Sequence, residues 1–295
     1  MAEEGDCADT KEIGMRRLLL EGGGQRSIFT VGVLDCFMDE GINFDEIYGI
    51  SAGALTASSY VSGDRGRALK QMEMFTGDKN YISIRNRFKT GSVFNWEYIL
   101  KKIPDELLPM NYEAFRQNPT KLFAGAYECE TGRTVYFPVK DLEGDFEKKV
   151  LQATASLPYF SEIVSIGEYH YMDGGIGDSF ALSAFRDDGA KTLLVETQDP
   201  TFEKEETRRM FPSDIYYRKY PHLVHDYAAR PANYNNDRIK AKQLEKEGKL
   251  LILEPANPVE VSKTESDIQK LKDLYEEGYR CAEEKMPEIR KYLEI

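Results

Sequence analysis

Residues 49–53 read Gly-Ile-Ser-Ala-Gly, which sets Ser51 at the centre of a G-x-S-x-G pattern. Such a pattern between a strand and a helix makes a turn so sharp that side chains two residues before and after the serine would strike backbone. Glycine removes that obstacle, and the hydroxyl is lifted clear at the N-terminus of a helix, where developing negative charge is favoured. The chemistry this suits is acyl transfer, which also needs hydrogen-bond donors aimed at the oxyanion of a tetrahedral intermediate. Gly22, Gly23 and Gly24 of the stretch GGGQR are candidates, because consecutive glycines let backbone N–H groups approach a ligand unobstructed. Arg26 adds a permanent positive charge that either orients this loop or stabilises the anion. The same loop is also open to reading as a phosphate cradle, but GGGQRS matches neither G-x-G-x-x-G nor a P-loop.

A serine nucleophile needs a group to take its proton, and the chain has only three histidines. His170 lies in EYHYMDGG, a strand-like stretch, and residues three apart on a strand face opposite sides, so it points away from Asp173. His222 and His225 lie in YPHLVHDYAARP; either would satisfy the chain order Ser, Asp, His of a full triad. Their H-x-x-H spacing offers no third metal ligand, and no metal or cofactor is expected. Asp173, followed by Gly174 and Gly175, is the stronger candidate, with Asp178 a weaker substitute. A carboxylate is a poor base in water, but inside a dry site it accepts the proton as attack proceeds and returns it to the leaving group.

The elements that must position these residues follow from periodicity. RRLLLE (16–21) reads as a strand that breaks at the glycines. Apolar residues from Ile28 to Met38 recur at helical spacing, and Gly41 ends that helix. Residues 43–48 read as a second strand, and AGALTASSYVSG as a small-residue helix. This order predicts an α/β fold with parallel strands and right-handed crossovers. Further on, residues 121–139 read as two strands about a turn, 144–157 as a helix stopped near Pro158, and 161–175 as a hairpin running into glycines. KTLLVETQ and KLLILEP read as core strands, and Thr264–Leu293 as one long charged helix. Residues 203–249 interleave aromatic and basic residues. They are read either as a cap resting at a lipid headgroup layer or as a partly packed excursion between core strands.

The chain has 295 residues, 41% of them hydrophobic, and a net charge of -12. It is long enough for a sizeable core, and too acidic for general nucleic-acid affinity. The polar, acidic residues 1–14 read as a flexible tail without the features of a signal peptide, and 15–295 as a single domain. Four scattered cysteines, no C-x-x-C pair and no apolar stretch near membrane-spanning length point to a cytoplasmic protein with reduced thiols.

Taken together and in this order, GGGQR, GISAG and MDGG resemble the three motifs of the patatin-like phospholipases. QATASLPYFSEI resembles the helix end and proline turn that precede the third motif. The resemblance covers about residues 16–196, with 197–295 less typical. It implies a three-layer α/β/α fold with a mainly parallel sheet and a C-terminal helical extension. It also implies a lipid acyl hydrolase with Ser51 as nucleophile and Asp173 as its partner in a dyad without histidine. Gly23 and Gly24 would donate to the oxyanion with support from Arg26, and Gly22 would shape the loop. Ser27 departs from the glycine many members carry there. Lipid or ester substrates and contact with a membrane surface are the implied partners. A triad esterase and a non-catalytic anion-binding protein remain open at this point.

Overall fold

A computed structural model describes residues 14–205 and 213–295. Eight strands form one sheet: β1 (Arg16–Leu20), β2 (Glu46–Ile50), β3 (Lys121–Glu128), β4 (Arg133–Val139), β5 (Val164–Ile166), β6 (Tyr169–Asp173), β7 (Lys191–Val195) and β8 (Leu250–Leu253). Their order is β5-β6-β3-β2-β1-β7-β8, with β4 also on β3. β1, β2, β3, β7 and β8 run parallel, and the antiparallel pairings are β3 with β4, β3 with β6, and β5 with β6. The helices among the described residues are α1 (Ile28–Asp39), α2 (Ala52–Val61), α3 (Arg67–Phe75), α4 (Ile84–Thr90), α5 (Tyr112–Gln117), α6 (Asp145–Thr154), α7 (Ser213–Tyr216), α8 (Pro221–Lys246), α9 (Ile268–Glu284) and α10 (Met286–Leu293), with a π-helical segment at Tyr98–Leu107.

Parallel strands need cover on both faces, which is why Leu18–Leu20 of β1 and the whole of β8 are leucine and isoleucine. Alternation then divides β1 between two cores. Leu18 and Leu20 join Phe29 of α1, Ala54 of α2, Val150 of α6 and Leu274 of α9. Leu19 joins Tyr48, Leu194, and Tyr234 and Ala241 of α8. The result is the expected three-layer α/β/α arrangement. No helix among the described residues is long and apolar enough to cross a membrane.

Two elements differ from the sequence reading. The charged C-terminal stretch is two helices, since Pro287 at the start of α10 offers no N–H to continue the α9 ladder. Within 203–249, residues 206–212 lie outside those described, and Pro221–Lys246 is a single 26-residue helix. Its buried stripe includes Pro231 and Arg238 beside Leu223, Tyr234 and Ala241, so no apolar periodicity announces it.

The C-terminal helices pack tightly on the layer that carries α1. A Cβ on Gly32 of α1 would fall onto the carbonyl oxygen of Tyr275, and one on Gly278 of α9 onto that of Phe29. Gly278→Ala must therefore push the helices apart. We expect a loss of about 1–3 kcal/mol, read as a lower midpoint in urea unfolding; an unchanged midpoint would contradict the close crossing.

Candidate active site

Strand registration brings the two principal residues together. β4 runs antiparallel along one edge of β3, and the other edge is divided: β2 pairs with Lys121–Gly125 and β6 with Ala126–Glu128. Ile50 stands opposite Gly125, and Asp173 opposite Ala126. Because β2 is parallel to β3 and β6 antiparallel, the two strands run toward each other and end head to head. Ser51 follows the last residue of the first, and Asp173 is the last residue of the second.

Ser51 takes φ 53° and ψ -125°, a conformation that costs a non-glycine residue about 1–3 kcal/mol and persists only where the surroundings hold it. Here α2 begins at the next residue. A Cβ on Gly49 would lie 2.6 Å from the N and Cα of Ala54, and one on Gly53 2.8 Å from the carbonyl oxygens of Leu20 and Glu21. The Ser51 N–H donates to Thr154 Oγ1 at 2.9 Å, and the Thr154 hydroxyl donates to the Gly125 carbonyl. Thr154, at the end of α6, thus ties the elbow to β3.

Asp173 is 2% exposed. Its N–H donates to the Ser156 carbonyl at 2.8 Å, and its Oδ1 accepts from the Gly175 N–H at 2.8 Å. Oδ2 accepts no hydrogen bond among the described residues. In the glycine loop, the Gly22 N–H donates to the Ser179 carbonyl and that of Gln25 to the Lys263 carbonyl. Between them, the amides of Gly23 and Gly24 make no hydrogen bond among the described residues. Gly24 has φ 59° and a Cβ there would sit 2.6 Å from the Lys263 carbonyl oxygen, so glycine is required on both counts.

Ser51, Asp173 and Gly22, Gly23 and Gly24 line one cleft. Arg26 takes a different place from the loop glycines. With the Gln198 amide oxygen facing it, the guanidinium donates to that oxygen from Nη1 and Nε at 3.2 Å each, while Gln25 lines the cleft. Burial pulls the Arg26 pKa down, and the nearby Glu21 carboxylate opposes that shift. Of its two sequence roles, support of the loop is the one this position suits.

The histidines lie elsewhere. His170 Nδ1 is 2.6 Å from Glu130 Oε1, and its ring centroid is 5.5 Å from that of Tyr220. His225, with its side chain 81% exposed, is 2.8 Å from Asp226 Oδ1. His222 is exposed and lies beside Gly132. None lines the cleft. Asp178 accepts from the hydroxyls of Tyr136 and Ser183 and from the N–H groups of Leu182 and Ser183, which makes it a capping residue.

Several residues of the cleft lie outside the three motifs. Tyr81, Ile82, Phe94, Trp96 and Ile99 form an apolar wall from the aromatic-rich stretches at 80–99, while Arg230 of α8 and Lys263 after β8 contribute charge. The aromatic clustering was a visible signal for the wall. Arg230 lies in the basic and aromatic stretch 203–249, where nothing sets it apart from its neighbours, and nothing local marks Lys263; both reach the cleft from more than fifty residues beyond Asp173.

The sequence model of a domain of unknown function, DUF6363, matches residues 220–294. The uncharacterized protein YjjU of Escherichia coli (strain K12) is 28% identical over 281 residues, covering 91% of this chain and 76% of its own. Among solved structures, VipD from Legionella pneumophila is similar with a TM-score of 0.47 and 14% identity, over 95% of this chain and 67% of that one. The sequence model of the patatin-like phospholipases matches residues 18–186, more than half of the chain and the stretch that carries the glycine loop, Ser51 and Asp173. The chain belongs to the patatin-like phospholipase family.

Proposed function

We propose that this protein is a serine acyl hydrolase that cleaves carboxylic esters of lipids, with Ser51 as nucleophile, Asp173 as its proton acceptor, and the Gly23 and Gly24 amides as oxyanion donors. The observation that supports this reading is the shared cleft, in which a strained serine, a buried carboxylate and two backbone amides meet with no histidine in the lining; among the described residues one oxygen of the carboxylate and both amides have no hydrogen-bond partner. The Ser51 oxygen attacks the ester carbonyl carbon while its proton passes to Asp173. The carbonyl oxygen becomes an oxyanion and accepts from the two N–H groups. Collapse of the intermediate breaks the bond to the alcohol oxygen, which takes the proton from Asp173 and leaves. Water then attacks the acyl-serine with Asp173 again accepting a proton, and the acid departs as Ser51 recovers its own.

The wall of Tyr81, Phe94, Trp96 and Ile99 suits an acyl chain, since burying apolar surface stabilises by about 25 cal/mol per Å². Contact with a lipid surface fits α4, where Ile84 and Phe88 are 74% and 87% exposed at i, i+4 spacing beside Arg85 and Lys89. On a chain of net charge -12, such a local basic and apolar face is suited to an anionic bilayer surface.

A fluorophosphonate probe tests the reading directly. We expect one covalent adduct, mapped by mass spectrometry to the peptide containing Ser51. Absence of an adduct, or its appearance on another serine, would reject the assignment.

A further inference from the structure

The cleft is chemically two-sided. The segment from Tyr81 to Ile99 contributes apolar and aromatic side chains, whereas the C-terminal segments contribute Arg230 and Lys263. Lys204 and Arg26, which do not line the cleft, are close enough for all four cations to repel one another. The carboxylates that face this group are Glu21 and Asp173. Glu21 is already engaged, accepting from the N–H and hydroxyl of Thr197 and from the Tyr234 hydroxyl. Among the described residues, Arg230, Lys263 and Lys204 form no ion pair with a carboxylate. Lys204 rests instead over the Tyr234 ring, 3.8 Å from its centroid. Burial, and then the charges of Arg230 and Lys263, pull the Lys204 pKa down to about 6, yet the charges of Arg26, Arg230 and a protonated Lys263 still exceed those of Glu21 and Asp173 in a half-buried place, where a bound anion would relieve the repulsion.

The position of Arg230 says which part of a substrate meets this charge. Its Nε donates to the Gly175 carbonyl at 2.5 Å, and the N–H of the same residue donates to Asp173 Oδ1 at 2.8 Å. One glycine thus holds both the guanidinium and the group that returns a proton to the departing alcohol. Lys263 stands over the glycine loop, its carbonyl accepting from the Gln25 N–H. Its ammonium makes no hydrogen bond among the described residues, so it is available to a ligand.

We propose that Arg230 and Lys263 form an anion subsite that selects esters whose alcohol portion carries a phosphate or carboxylate group. The proposal rests on the reading of Ser51 and Asp173 as ester-cleaving residues. It assigns the C-terminal region, outside residues 18–186, a part in substrate choice. Burial first, and then the charges of Arg230 and Arg26, pull the Lys263 pKa down to about 7. Arg230 would supply the fork suited to an oxyanion and Lys263 a point charge that the anion itself helps to keep protonated.

Two measurements test this, one of them independent of catalysis. In the first, thermal unfolding is followed in rising inorganic phosphate at ionic strength held constant with chloride. The midpoint is expected to rise for the natural protein, and the rise to vanish in Lys263→Met and return in Lys263→Arg. No rise in the natural protein, or a rise that persists in Lys263→Met and Arg230→Met alike, overturns the subsite whether or not esters are cleaved. In the second, kcat/KM is compared for a pair of soluble esters of equal acyl length, one with a phosphate on its alcohol and one neutral, and then for anionic against zwitterionic phospholipid vesicles. Lys263→Met is expected to lower the anionic-to-neutral ratio for the soluble pair by about tenfold or more. A lowered ratio for the soluble pair places the anion on the substrate molecule, whether or not the vesicle ratio moves, since zwitterionic and anionic phospholipids alike carry a phosphate on the alcohol. A fall confined to vesicles, or an equal fall for both soluble esters, overturns the proposal, assigning Lys263 respectively to surface attraction or to the reacting carbonyl. Failure of the ester-cleaving reading is recognised separately, by the absence of fluorophosphonate labelling in the natural protein.

Discussion

Ser51→Ala is expected to abolish hydrolysis of a short-chain p-nitrophenyl ester, lowering kcat/KM by about 10⁴-fold or more. The change removes one oxygen and no part of the fold. The Ser51 N–H still donates to Thr154, its carbonyl still accepts from the first turn of α2, and an alanine at φ 53° bears the same backbone strain as the serine. Stability should therefore stay within about 0.5 kcal/mol, read from urea unfolding. The combination is what gives the experiment force. Activity lost together with folding would say only that the elbow is structurally delicate, whereas activity retained within tenfold would remove Ser51 from the chemistry. The residual rate should be that of a site that still binds and still presents the Gly23 and Gly24 amides but has no nucleophile.

Asp173→Asn is expected to cost about 10³–10⁴-fold in kcat, with KM little changed. Asparagine has nearly the same shape, and its oxygen still accepts from the Gly175 N–H, so the turn is kept while the proton acceptor is lost. Kinetics of this form separate a group acting in the transition state from one that binds substrate. The decisive comparison is with histidine. His222→Ala and His225→Ala should remain close to the natural protein, since His225 faces solvent beside Asp226 and His222 lies beside Gly132. A large loss in either variant, with folding intact, would instead favour a histidine-dependent triad. Full activity of Asp173→Asn would leave the serine without its proposed base.

Several features were legible before any coordinates. The steric demand of a strand-to-helix elbow is local, so Gly49 and Gly53 announce it from their spacing alone, and the backbone oxygens and Ala54 stand where that reasoning requires. His170 was readable in the same way, because strand alternation turns it from Asp173 toward Glu130. Arg26 was legible as a charge near the loop but not in its direction, since Gln198, which receives its guanidinium, follows it by more than 170 residues. The long helix α8 escaped periodicity because its buried stripe holds a proline and an arginine. Arg238 is tolerated there by Glu196 at 2.8 Å and Glu254 at 3.3 Å, partners that no local window contains.

From the order of residues alone came the elbow, the glycine loop, the aspartate before paired glycines and the alternation of strand and helix, all of them properties of short segments whose physics is complete within a few residues. Only the tertiary structure decided that β2 and β6 share one edge of β3 and stop at neighbouring positions, Gly125 and Ala126, which is what brings position 51 to position 173. It also decided that Arg230 and Lys263 enter the same cleft. Pairing between strands and packing of distant helices are set by the burial of whole faces, and that sum over the entire chain cannot be read from any one stretch of it.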